Sequence, residues 1–370
     1  MEVTNAQAPS IRNWLSNNKN APAHLVSKIA DWFVFNRNAD YGLAVMRIAS
    51  GTFILGWLLI NVPVANQVWG PGSAFWDPYR AVLGYKWPLD ILRDAGAGFF
   101  WGWYSFAILL AVAFILGWRA RLITPVFFIF YTAINAQNTA IADGGNYFIR
   151  IMLIYMIFAD ISRRWSLDAR RKAIRGSQAA NTDTQVGTVL HNLALCLIVA
   201  QLCLVYFEAG MYKVQGSMWQ NGVAMYYPIN SEAYGVFPWL SALLSSNTWV
   251  VVLLTYFTVI VQIAFPFLLF NRITRRIALI SILGMHIGIA VVMGLPFFSG
   301  IMASADAVLV SAGTWIAIGT WLGIKSRALA RRIPIVKDHI RPEECADREL
   351  AAEPQRVPES EAENREPSLV

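Results

Sequence analysis

The chain is poor in charge and in cysteine, and it lacks the short motifs by which soluble enzymes are recognised. Asp, Glu, Lys and Arg make up 14% of its 370 residues, where soluble chains carry roughly 25%. That shortfall excludes a secreted or cytosolic globular enzyme. Cys196, Cys203 and Cys345 are too few for a disulfide scaffold. Two of them fall in an apolar segment and the third in a polar one, so neither a bridge nor a metal site is expected. No Walker-type phosphate loop, Gly-x-Ser-x-Gly elbow or His-Glu-x-x-His zinc motif occurs.

What is abundant is apolar. Hydrophobic residues reach 56%, aromatics 13%, and the mean hydropathy is +0.45. These values predict an integral membrane protein in contact with a lipid bilayer. The net charge of +7 is unevenly spread, because residues 338–370 hold ten acidic residues and four Arg. That last stretch has too little apolar surface to offset its ordering entropy and is expected to be a disordered acidic tail. The basic excess elsewhere lies between apolar runs. It predicts membrane topology rather than nucleic-acid binding.

A helix of about 20 apolar residues crosses a hydrocarbon core of about 30 Å. Eight such runs occur, at 42–62, 98–117, 122–140, 146–161, 186–209, 249–270, 277–295 and 299–323. The fold class expected is therefore all-α, a polytopic bundle of about eight transmembrane helices. Lys and Arg concentrate in alternate connections, at 163–175 and 272–276 for example, whereas 139–146, 214–248 and 294–300 hold none. By the positive-inside rule both termini are cytoplasmic, in a plasma membrane. The expected organisation is a segment 1–40 with an interfacial amphipathic helix, a membrane domain 41–325, a basic stretch 326–337 and the tail 338–370. No apolar core of a cleavable signal is expected in the first forty residues. The outer loops 63–97 and 214–248 are rich in Trp and Tyr, which suits an interfacial belt and equally a lipidic or aromatic ligand.

Polar residues inside apolar runs are costly and mark candidate sites. Arg47 either snorkels to the interface or serves a site, His191 is expected at an interface, and His286, Gln262 and Asp306 are mid-span candidates. Pro266 lies four residues after Gln262 and predicts a polar kink there. The richest cluster gathers Asn135, Asn138, Asn146 and Arg150 with Gln201, Glu208, Tyr212 and Trp219. Gln201, Glu208 and Tyr212 recur at helical spacing and form one stripe. Beside them stands Lys213, with the small pair Ala209-Gly210 one turn below it. That leaves space for a flat ligand next to an amine able to act as a general base. The same residues also fit an interfacial lysine with Glu208 paired to Arg150.

The segment Val205-Tyr206-Phe207-Glu208-Ala209-Gly210-Met211-Tyr212-Lys213, with Trp219 following, resembles the signature of the horizontally transferred transmembrane (HTTM) domain of vitamin K-dependent gamma-carboxylases. Arg47-Ile48 with Gly51, Asn146-Tyr147 through Trp165-Ser166-Leu167-Asp168, Phe267-Leu268-Leu269-Phe270, and His286 with Phe297, Met302 and Ala303 agree in order. The resemblance spans roughly 35–325. It implies a reduced quinone of the vitamin K type as cofactor, which on oxygenation yields the base that deprotonates a peptide glutamate for carboxylation. The lysine that starts this chemistry maps to Lys213, and the histidine before the fourth helix falls at Gly145. The large luminal domain of the animal enzymes is not expected in this sequence. A second branch of the same domain resembles the bacterial sporulation-delaying toxin maturation protein, which implies a non-enzymatic membrane factor for maturation or export of a secreted peptide.

Overall fold

The computed structural model describes residues 21–73, 87–92, 94–175, 184–232 and 234–330. The polar start 1–20, much of the first aromatic loop with Trp76, and the acidic stretch 338–370 with Cys345 lie outside the described residues. The described residues fold as helices and turns, with no strand among them. The chain to Trp315 is one compact unit, and a second begins at Ile316.

The main helices are α1 (Ala21–Val34), α2 (Asp40–Ile60), α3 (Ala97–Leu116), α4 (Ala120–Ala136), α5 (Gly144–Phe158), α6 (Leu167–Ile174), α7 (Gln185–Val214), α8 (Thr248–Leu268), α9 (Arg272–Val292), α10 (Pro296–Asp306) and α11 (Ala312–Ala330). The apolar runs are helical where the sequence places them, but they are unequal. Five helices, α2, α3, α7, α8 and α9, are long and apolar enough to cross a membrane. α4 and α5 have 17 and 15 residues and rise only about 25 and 22 Å, short of a core of about 30 Å. The single span expected over 299–323 is corrected to a bent pair, α10 and α11, counted as one further span at most. Its break has a local cause. Val310 is extended (φ −81, ψ 141), and the Ser311 hydroxyl accepts from the Thr314 backbone N–H at 3.3 Å, which starts a new helix.

The two shortest of the apolar helices sit inside. α10 packs on α2, α5, α7 and α9, and α5 packs on α4, α7 and α10. Polar residues buried on these short helices therefore face protein rather than lipid, the condition under which a membrane protein tolerates them.

The helix ends explain several sequence motifs. After α3, Gly117 adopts a left-handed conformation (φ 62); its N–H reaches the Phe114 carbonyl and the Trp118 N–H reaches that of Ala113. This is the 5→2 and 6→1 pairing of a Schellman cap. A Cβ at Gly117 would lie 2.5 Å from the Ser166 Cβ, so glycine is demanded twice. Arg47 is fully buried and does not snorkel. Its guanidinium donates to the carbonyls of Phe114 (2.9 Å), Ile161 (3.1 Å), Trp165 (2.7 Å) and Ile115. Two of these are carbonyls in the last turn of α3, which have no partner within the helix. Asp168 accepts from the backbone N–H of Arg119 and of Ala120, both at 2.9 Å, and so caps the start of α4. The Trp165-Ser166-Leu167-Asp168 motif is in this way a clamp on the α3–α4 turn.

His191, expected at an interface, is fully buried by protein. Its Nδ1 accepts from the Asp160 N–H at 3.0 Å, so Nε2 carries the proton and donates to the Asn38 carbonyl at 2.9 Å. Beside it, Asn192 Nδ2 donates to the carbonyls of Trp32, Phe33 and Asn36, fastening the end of α1 to α7. Arg37 bridges to Asp160 at 2.8 Å on the same side.

Candidate functional site

Helix α7 carries two polar groups on one stripe. Tyr206 and Lys213 are seven residues apart, which is two turns and about 10 Å along the axis. Between them stands Gly210, against α8. A Cβ there would lie 2.6 Å from Ile263 Cγ1 and 3.0 Å from the Ile263 backbone nitrogen. The space beside Ala209-Gly210 expected to admit a flat ligand is thus filled by a neighbouring helix. Small residues let backbones approach closely in membranes, and here they do so helix to helix.

Lys213 is half-buried, and its Nζ donates to Gln262 Oε1 at 2.9 Å and to the Ala209 carbonyl at 3.3 Å. The Trp219 ring lies 5.4 Å from the amine. The structure therefore brings together Lys213, Gln262 and Trp219, all singled out in the sequence. Helix α8 continues through Pro266 to Leu268.

The stripe of Gln201, Glu208 and Tyr212 does not join this group. Gln201 is half-buried, Glu208 is exposed, and Tyr212 is 78% exposed. These residues lie on the side of α7 turned away from the Tyr206–Lys213 stripe. Among the described residues Glu208 makes no ion pair with Arg150. Arg150 is instead buried on α5, where it donates to the Asn146 carbonyl at 3.2 Å and lies 4.6 Å over the Tyr147 ring. Of Asn135, Asn138 and Asn146, only Asn146 links α4 to α5; Asn135 bonds within α4 and Asn138 to the segment after α2. Tyr131 donates to Asn146 Oδ1 at 2.5 Å, Asn135 to the Tyr131 carbonyl at 2.9 Å, and Asn138 to the Val68 carbonyl at 3.1 Å.

The second group on the stripe lies deeper, and the sequence pointed to it only through His286 and Asp306. Tyr206 donates to Asp306 Oδ2 at 3.1 Å and meets His286 Nε2 at 3.1 Å. A phenol has one proton, so with that proton on the Asp306 side His286 Nε2 must be the donor. His286 Nδ1 is then a bare acceptor. It is buried without a partner, as are Asp306 Oδ1 and Ser299 Oγ. Each such orphan costs about 1–3 kcal/mol, and native proteins hold few of them. His286, Ser299, Ser304 and Asp306 together line one cavity of about 520 Å³, whose remaining wall is apolar, including Phe53, Leu283 and Trp315. Aromatic rings pack the triad from behind, with Phe265 at 4.7 Å from the Tyr206 ring and Phe298 at 6.1 Å from the His286 ring.

Tyr206 stood in the sequence only as a member of the Val205–Lys213 signature, and Ser299 went unmarked. A usable signal existed for Tyr206, since it stands one heptad before Lys213 on the same face. For Ser299 there was none, because its place depends on where α10 packs. Gly145 lies in the same neighbourhood. A Cβ there would be 3.2 Å from the Phe298 Cα, a tight approach.

No solved structure matches the chain. Among curated proteins it is 30% identical over 207 residues to the uncharacterized protein YitO of Bacillus subtilis, covering 54% of this chain and 63% of that protein. It is 26% identical over 203 residues to the sporulation-delaying protein SdpB of the same organism, covering 54% and 60%. The chain thus spans somewhat under two thirds of each relative's length. The HTTM domain matches residues 36–315, from just before α2 to the start of α11, and the chain belongs to the HTTM family.

Proposed function

We propose that this protein is a membrane enzyme of the carboxylase or oxygenase kind that takes a reduced quinone into the bundle and uses Lys213 as proton acceptor. The observation that carries the reading is the set of three partnerless polar atoms, on His286, Ser299 and Asp306, around one largely apolar cavity. Cavities of roughly 300–1,000 Å³ with a few convergent polar groups are the usual form of a small-molecule site. His286 and Asp306 each keep a buried polar atom without a protein partner next to this cavity, and a small side-chain shift would turn those atoms toward a ligand bearing hydroxyl donors. A bound hydroquinone would supply reducing electrons and two ionisable hydroxyls. Tyr206 holds His286 in the acceptor tautomer, and Phe265 and Phe298 exclude water from behind it. Lys213 stands two turns along the same stripe. Its amine has neutral partners, Gln262 and Ala209, and can therefore exchange its proton without breaking an ion pair.

We place Lys213 on the outward side of the plasma membrane, with both termini cytoplasmic, on the alternation of basic connections. The test of the site compares a naphthohydroquinone with its dimethyl ether. The chain in nanodiscs should bind the hydroquinone at least about tenfold more tightly, since the ether leaves the acceptors unmet. Equal affinity overturns the reading. For the chemistry, Lys213→Ala should abolish quinol turnover while leaving expression unchanged, and full turnover in that variant rejects the role of the amine.

A second reading is favoured by the likeness to the sporulation-delaying protein SdpB. In it the protein is a non-enzymatic membrane factor for maturation or export of a secreted peptide, and Lys213 is structural. Complementation that survives Lys213→Ala but not disruption of residues 214–248 selects this alternative.

A further inference from the structure

Away from the bundle interior, one surface gathers exposed cations that make no ion pair among the described residues. The turn between α3 and α4 exposes Arg119 and Arg121, and the segment running into and along α6 exposes Arg164, Arg170, Lys172 and Arg175. These stretches are separated by more than forty residues in sequence. Asp168 joins them, its two carboxylate oxygens accepting from the N–H of Arg119 and of Ala120, while its own N–H donates to the Gly117 carbonyl at 3.2 Å. What remains of that carboxylate pairs with Arg171 at 3.4 Å. Asp168 is the sole acidic residue of both stretches, and its charge is thus already used. None of the six exposed cations has an ion pair among the described residues.

The position of this surface follows from what it is tied to. α3 is long and apolar enough to cross a membrane, and α4 is an apolar helix that begins four residues after α3 ends. The turn between them lies at a membrane face, and the Asp168 clamp holds α6 at the same level. The apolar residues beside the cations agree with that depth. Trp118 and Trp165 are 39% and 41% exposed, and Ile174 is 75% exposed. Amphipathic indoles favour the headgroup level, and a short helix with both basic and apolar exposed residues suits the interface plane.

We propose that the α3–α4 turn and α6 form one binding surface for the phosphate headgroups of anionic phospholipids, with Trp118, Trp165 and Ile174 seated among the acyl-chain ends. Each Lys or Arg at such a surface adds attraction to anionic lipid that falls with salt. This goes beyond the general excess of positive charge at one membrane face, because the clamp concentrates six cations from two distant stretches beside their own apolar anchors. The turn between α8 and α9 also carries three Arg, at 272, 275 and 276, and provides the comparison.

The experiment uses the full chain in nanodiscs of phosphatidylcholine alone or mixed with phosphatidylglycerol, with co-purifying lipid read by native mass spectrometry. The triple variant Arg170→Gln, Lys172→Gln, Arg175→Gln should retain about tenfold less phosphatidylglycerol than the parent chain. The triple variant Arg272→Gln, Arg275→Gln, Arg276→Gln should retain it nearly unchanged. Equal loss in both variants means generic attraction and overturns the surface, as does no loss in either. Should the α6 variant fail to fold, the pair Arg119→Gln, Arg121→Gln gives the same comparison. Retention of a soluble polyanion with no preference for phosphatidylglycerol also overturns it.

Discussion

The Tyr206 hydroxyl on α7 donates to Asp306 Oδ2 on α10 at 3.1 Å. With the one phenolic proton on the Asp306 side, His286 Nε2 is the donor to Tyr206 and Nδ1 is the bare nitrogen. Three helices meet through this oxygen, and His286, whose Nδ1 has no protein partner, lines the cavity beside it.

Tyr206→Phe keeps the ring packed against Phe265 but strips His286 and Asp306 of their shared partner. The expected cost is about 2–3 kcal/mol, from two newly orphaned buried groups. Thermal unfolding in detergent should show the lower stability while helix content stays unchanged.

Arg47→Lys should destabilise far more than an ordinary conservative change. A lysine ammonium cannot spread over the carbonyls of Phe114, Ile115, Ile161 and Trp165 as the planar guanidinium does. A loss of about 3 kcal/mol or more is expected, each hydrogen bond to a charged group being worth about 1.5–3 kcal/mol. The yield of folded protein in membranes is the measurement, and near-normal yield would show that Arg47 is not the fastening of the α3 end.

Gly210→Leu should separate α7 from α8, since even a Cβ there comes within 3.0 Å of the Ile263 backbone nitrogen. Overpacking of this kind costs about 1–3 kcal/mol. Because Lys213 and Gln262 meet across the same contact, the variant should lose activity along with stability. Gly210→Ala should give a smaller loss in the same direction.

Glu208→Gln and Tyr212→Ala provide the contrast. Both side chains are exposed on the far side of α7, and each change should alter stability by no more than about 0.5 kcal/mol. Quinol affinity should also stay at the parental value. A large loss in affinity would place the ligand on the opposite face from the cavity.

Several features of the site were legible in the residue order and others were not. His286, Asp306, Gln262 and Lys213 were visible because an ionisable or amide side chain in an apolar run is conspicuous wherever the run packs. Glu208 and Tyr212, grouped with these by spacing, lie on an exposed side of α7 away from the Tyr206–Lys213 stripe. Helical periodicity tells which residues share a stripe, but it does not tell which stripe meets protein. That choice is made by Gly210, whose missing side chain lets α8 approach on one side of α7.

Composition alone determined that the chain is a helical membrane protein, because apolar runs of that length can satisfy their backbone in lipid only as helices. The sequence also carried the family signature, and with it the importance of Arg47 and of Trp165-Ser166-Leu167-Asp168. Only the tertiary structure decided that Arg47 and Asp168 close helix ends rather than serve a ligand. It likewise decided that the small residues near Lys213 receive a helix and that three of the buried partnerless polar atoms, on His286, Ser299 and Asp306, border one cavity. Each of those outcomes depends on which helices touch, and contact between segments a hundred residues apart is a property of packing that no local pattern encodes.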